Sequence, residues 1–197
     1  MRASTRREFV AGAAGRIECA VDKPDGSARG VALIAHPHPL FGGSLDNKVV
    51  QTLARAFVEL GYEAWRPNFR GVGETDGVHD EGRGELEDLQ AVLNAIRTER
   101  FILAGFSFGA SLAARLAERS KPEWMVLVGV GITRIMAPPV PAGTLVIHGE
   151  NDDTVPLAAI LEWARPQELP VVVVPGADHF FHRKLHILRA LVQRNWK

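Results

Sequence analysis

Two hydrophobic periods share this chain. Ile17, Cys19 and Val21 alternate with Arg16, Glu18 and Ala20, the period of two that marks a half-buried strand. The stretch 22–30 carries Pro, Asp, Gly and Ser and reads as a turn. Residues 30–35 form a continuous apolar run, as in a strand covered on both faces. Over 46–60, Val49, Val50, Leu53, Ala54, Phe57 and Leu60 make a helical stripe that Gly61 ends. A strand over 62–66 and a Gly-rich loop over 71–84 follow. Leu86, Leu89, Val92, Leu93 and Ile96 then predict a second helix. The pattern continues with strands over 101–104, 124–130, 144–147 and 171–174, and helices over 107–119, 156–163 and 181–196. Strand and helix alternate from residue 31 onward, which predicts an α/β fold: a mostly parallel sheet with helices on both faces. No repeat or long linker divides the chain, so one domain is expected over 1–197.

In such sheets the reactive groups lie beyond the carboxyl ends of the strands. After strand 101–104 comes Gly105-Phe106-Ser107-Phe108-Gly109, and then a helix. A serine at a sharp strand-to-helix turn is lifted above the sheet, and the helix N-terminus is aimed at a reacting carbonyl. The turn strains the serine backbone, and side chains at the flanking glycines would clash. Ser107 is therefore the candidate nucleophile. A serine hydroxyl needs a histidine base, and the base needs a carboxylate to hold its tautomer. The two later strands end in suitable loops. His148 to Pro156 offers Glu150, Asp152 and Asp153, and Pro175 to Phe180 offers Asp178 and His179.

His148-Gly149-x-x-Asp152-x-x-Val155-Pro156 resembles the acid loop of α/β-hydrolases, and Gly176-Ala177-Asp178-His179 resembles their histidine loop. The resemblance puts the acid at Asp152, with Asp153 as the adjacent alternative and Glu150 behind it, and the base at His179. It implies that the Phe108 N–H is one oxyanion donor and that the second comes from the loop after strand 31–35, His36-Pro37-His38-Pro39-Leu40-Phe41-Gly42-Gly43. Pro37 and Pro39 have no N–H, which leaves His38 ahead of Leu40 and Phe41. The stretch 68–75 resembles an R-G-x-G-x-S/T loop of the same family, with a structural role beneath the nucleophile turn. Residues 36–48 are similar to a loop of small, lidless bacterial members, distantly like dienelactone hydrolases. Dienelactone hydrolases use a cysteine nucleophile, whereas the elbow here holds serine and Cys19 lies far upstream.

Many members insert a cap of helices after the strand that follows the elbow helix. Here about a dozen residues, with Pro138, Pro139 and Pro141 among them, separate strand 124–130 from the next. No cap is expected, and the cleft should be open, with modest specificity. Phe41, Phe106 and Phe180 are the candidate substrate contacts, with Phe108 and Phe181 beside them.

Composition narrows the partners. Acidic and basic residues balance at 23 each, so no net field draws the chain to nucleic acid or an anionic membrane. No apolar run approaches the roughly 20 residues of a bilayer span. Thr5 to Val10 looks like the start of a twin-arginine signal, but Arg16 and Glu18 interrupt the apolar stretch that should follow, so a first strand and turn is the better reading. One cysteine allows no internal disulfide. A cytoplasmic protein is expected. His36 with His38, and His179 with His182 and His186, could be read as metal pairs, but neither group has a cysteine or a third acidic ligand nearby, so no metal and no cofactor is expected. The sequence thus points to a serine hydrolase acting on a small carboxylic ester. A thioesterase, peptidase or acyltransferase on the same residues is the rival, and a non-catalytic binding module a weaker one.

Overall fold

The structure, a computed structural model, describes residues 5–196. Its strands are β1 (Arg6–Gly12), β2 (Gly15–Asp22), β3 (Val31–Ala35), β4 (Glu63–Pro67), β5 (Phe101–Phe106), β6 (Trp124–Val128), β7 (Leu145–Gly149) and β8 (Val171–Val174). They form one sheet in the order β1-β2-β4-β3-β5-β6-β7-β8. β1 and β2 are an antiparallel hairpin and β2 runs antiparallel to β4; the remaining pairs are parallel. The helices are α1 (Lys48–Glu59), α2 (Arg83–Ile96), α3 (Phe108–Ala117), α4 (Leu157–Ala164) and α5 (Leu185–Asn195).

The continuous apolar runs are explained by burial on both faces. Leu33, Leu103 and Leu127 point into a core shared with α2, α3 and α4. Ala32, Ile34, Ile102, Ala104 and Val126 point into the opposite core, shared with α1 and α5. Arg6 and Arg7 are sheet residues of the hairpin, as the strand reading of that stretch expects. Among the described residues no helix is long and apolar enough to cross a membrane.

Two helix starts differ from the pattern by two residues or more. α1 begins at Lys48 because the Asn47 side chain accepts from the N–H groups of Val49 and Val50 and so caps it. α5 begins at Leu185, four residues later than expected. Phe181 (φ 53°) and Arg183 (φ 61°) are left-handed, which no helix admits. The buried Phe181 ring and the Asp178 carboxylate, which accepts from the His182 N–H and Nδ1, hold that turn. His179 and His182 therefore do not share a helix face.

Strand order positions the site. β3 leads through α1 to β4 on one side, and β5 returns on the other, so the chain switches direction between β3 and β5. A crevice opens at such a point beyond the carboxyl ends. The loop 36–43 and the Ser107 turn flank it. Beneath it lies a buried polar brace. His36 accepts from the Phe69 N–H at Nε2 (2.9 Å) and donates from Nδ1 to the Pro37 carbonyl (2.6 Å). Acceptance at Nε2 requires the neutral ring, and burial lowers its pKa to about 3. Phe69 packs edge-on against Phe108, with ring centroids 5.7 Å apart. The next residue, Arg70, makes a two-pronged pair with Asp88, both bonds 2.8 Å, and donates to the Gly84 carbonyl. The 68–75 loop thus ties the elbow helix to α2.

Candidate active site

Ser107 sits at the turn between β5 and α3 with φ 55° and ψ −120°. A non-glycine residue there costs on the order of 1–3 kcal/mol and persists only where its surroundings impose it. They do so here. The Ser107 N–H donates to the Val128 carbonyl (2.9 Å), and the Ser107 carbonyl accepts from Gly131 (3.0 Å). The flanking glycines are steric requirements. A Cβ at Gly105 would lie 2.4 Å from the Gly109 oxygen, and one at Gly109 would lie 2.4 Å from the Ala35 and His36 oxygens.

The loops after β7 and β8 bring two partners to this serine. His179 Nε2 is 3.0 Å from Ser107 Oγ, and His179 Nδ1 is 2.6 Å from Asp152 Oδ2. Asp152 Oδ1 accepts from the N–H groups of Val155 (2.7 Å) and Thr154 (3.0 Å). Burial raises the pKa of the Asp152 carboxyl, but the hydrogen bonds from His179 and Val155 outweigh it and hold that pKa below the usual carboxylate range. An ionised carboxylate only accepts, so His179 Nδ1 carries the proton and Nε2 is left to accept from the serine hydroxyl. Asp153, the alternative acid, is exposed and among the described residues meets only the Thr154 hydroxyl. The Glu150 carboxylate accepts from the Gly176 N–H (2.7 Å). Asp178 caps its own turn.

His148 braces the acid loop from below. Its Nε2 donates to the Val155 carbonyl (2.9 Å), so Nδ1 is an unprotonated, buried acceptor without a partner among the described residues. Burial pushes its pKa down. Its 3.7 Å approach to Asp152 is therefore a contact with a neutral ring, not an ion pair.

Neither the Phe108 nor the His38 backbone N–H meets an acceptor among the described residues, and both residues line the cleft with Ser107 and His179. Phe108 is the first residue of α3, so its N–H also carries the positive end of the helix dipole. The His38 side chain accepts from the Leu40 N–H and packs between the rings of Phe41 and Phe108.

The cleft measures about 280 Å³. Phe41 and Phe180 line it and stay exposed by 65% and 44%. Phe106 does not line it, which corrects the expectation for that residue. It continues the row of Ile102 and Ala104 into the α1/α5 core, is 0% exposed, and backs the His179 ring at a centroid distance of 4.8 Å. Phe181 is buried in the same core. The sequence also passed over Thr133 and Arg134, which line the cleft from the turn after β6. That turn carries no periodic pattern; its only legible signal was its position at a carboxyl end of the sheet. His36 spends both ring nitrogens on backbone groups, and His186 is exposed on α5.

The sequence pattern of the alpha/beta hydrolase family matches residues 32–144. An α/β serine hydrolase homologue from Coxiella burnetii is 37% identical and superposes with a TM-score of 0.91, each chain covered over 100%. An α/β serine hydrolase without a lid, from Xanthomonas campestris, is 36% identical with a TM-score of 0.91, over 99% of this chain and 94% of its own. An uncharacterised protein of Rickettsia prowazekii (strain Madrid E) is 32% identical over 196 residues, 89% of this chain and 82% of its own. By sequence and by fold, the chain belongs to the α/β-hydrolase family and is built without a lid.

Proposed function

We propose that the protein hydrolyses small carboxylic esters through an acyl-serine intermediate. The observation that carries this reading is the unbroken line from Ser107 Oγ through His179 to Asp152, at 3.0 and 2.6 Å. Ser107 Oγ attacks the acyl carbon while His179 Nε2 takes its proton. The imidazolium that forms lies against an ionised carboxylate, which stabilises it and keeps the ring oriented. The N–H groups of Phe108 and His38 hold the oxyanion, an arrangement in which one donor typically lowers the barrier by about 3–4 kcal/mol. His179 then returns the proton to the leaving alcohol. Water attacks the acyl-serine by the same sequence. No step calls for a metal or cofactor.

A cytoplasmic location belongs to the same reading. It draws on the free, buried Cys19, whose pKa burial pushes up to about 12, and on the use of Arg6 and Arg7 in the sheet.

Turnover of p-nitrophenyl acetate and butyrate tests the reading. Both are expected to be cleaved well above the heat-denatured protein, and EDTA should leave the rate unchanged. A folded protein that turns over neither ester would refute the proposal.

A further inference from the structure

Among the described residues, Arg134 is the only one of fixed charge that lines the catalytic cleft, and no Asp, Glu or Lys lines it. Its guanidinium carbon lies 4.4 Å from the centroid of the Phe41 ring. Stacking covers one face of the guanidinium and leaves its edge N–H donors free, in the planar fork that matches a carboxylate or phosphate. No described residue forms a salt bridge or a side-chain hydrogen bond with Arg134. Arg134 also lines the adjoining groove together with Glu81, and the two form no ion pair.

The backbone that carries Arg134 is fixed to the nucleophile. The Gly131 N–H donates to the Ser107 carbonyl (3.0 Å), and the Arg134 N–H (3.2 Å) and Ile135 N–H (3.3 Å) donate to the Gly131 carbonyl. Ile135, buried against the core, anchors the next residue. The span from the reacting serine to the base of the arginine side chain is thereby set by the fold. His38 on the same wall adds no competing charge, because burial, with His79 and Arg134 nearby, favours its neutral ring.

We propose that Arg134 determines specificity by selecting esters that carry a carboxylate or phosphate a few bonds from the reacting carbonyl. This rests on the ester-hydrolase reading above and adds the substrate class to it. The anion would occupy the free edge of the guanidinium while its spacer crosses the apolar floor made by Phe41 and Phe108. Such binding is made equally in the ground state and the transition state, so its loss appears in KM.

The test compares paired esters in wild type, Arg134→Met and Arg134→Lys. The monoester of p-nitrophenol with glutaric acid against p-nitrophenyl valerate places the charge on the acyl side. The butyryl ester of 4-hydroxybenzoate against phenyl butyrate places it on the alcohol side. In one pair, the ratio of kcat/KM for the anionic over the neutral ester should fall about tenfold or more in Arg134→Met, through KM. Arg134→Lys should recover part of it, since it keeps the charge and loses the fork. The pair that responds identifies which side of the ester bears the anion. A lesion of the fold lowers both members of a pair and leaves the ratio unchanged. Ratios that match wild type in both pairs would overturn the proposal. Calorimetric titration with glutarate gives a readout that needs no turnover: binding is expected in wild type and lost in Arg134→Met, and equal binding would count against the assignment. Failure of the neutral esters in wild type, with glutarate still bound through Arg134, would sink the ester reading and leave the anion site standing.

Discussion

Ser107→Ala and His179→Ala each lower ester turnover by at least about 10⁴-fold, and the double substitution is little worse than either alone. The reason is mechanical. Without the serine there is no nucleophile for His179 to activate. Without His179 the hydroxyl stays protonated and attacks poorly. Each substitution removes the whole covalent route, so the second has little left to remove. The activity that remains comes from the oxyanion donors and substrate binding. Losses that add in the double variant would mean that the two residues act separately, and the 3.0 Å contact between them would have another explanation. Ser107→Ala must also be shown to fold. Its left-handed backbone, held by Val128 and Gly131, disfavours alanine as much as serine, so thermal unfolding near that of wild type is expected.

The second large effect separates two neighbouring acids. Asp152→Asn should lower kcat by about 10⁴-fold with little change in stability, since asparagine fills the same volume. Its side-chain oxygen would keep the bonds from Val155 and Thr154 and turn the amide N–H toward His179. A donor there forces the histidine proton onto Nε2, and the base is lost. Asp153→Asn should change the rate by no more than about twofold, as expected of an exposed residue with one hydroxyl contact. The reverse result would reassign the acid to Asp153. Kinetics of the two variants on one neutral ester suffice.

The line of Ser107, His179 and Asp152 was more legible in the sequence than the cleft around it. Gly105 and Gly109 mark the elbow because the backbone packs too closely there for any Cβ, a constraint that acts on local sequence. The sheet was legible because strands buried on both faces must be apolar throughout, as β3 and β5 are. Asp152 and Asp153 differ by one position in a loop, and only folding turns one toward His179 and the other toward solvent. Phe106 was misplaced for a reason the sequence held. It has the same parity as Ile102 and Ala104, so a strand carried two residues further sends it into the core. The start of α5 was not readable, because helix-forming residues there are overridden by the buried Phe181 and the Asp178 cap. Arg134 left no pattern. Its place in the cleft follows from the ties between residues 131–135 and Ser107, contacts that exist only once β5 and β6 are side by side.

The central claim is that Ser107 is a nucleophile held ready by His179. Incubation with a fluorophosphonate, followed by intact-mass and peptide mass spectrometry, tests it most directly. One adduct per chain is expected, on the peptide that contains Ser107. It should be lost in Ser107→Ala and formed far more slowly in His179→Ala. A folded protein that takes up no label, or takes it up at another residue with Ser107 unmodified, would contradict the account.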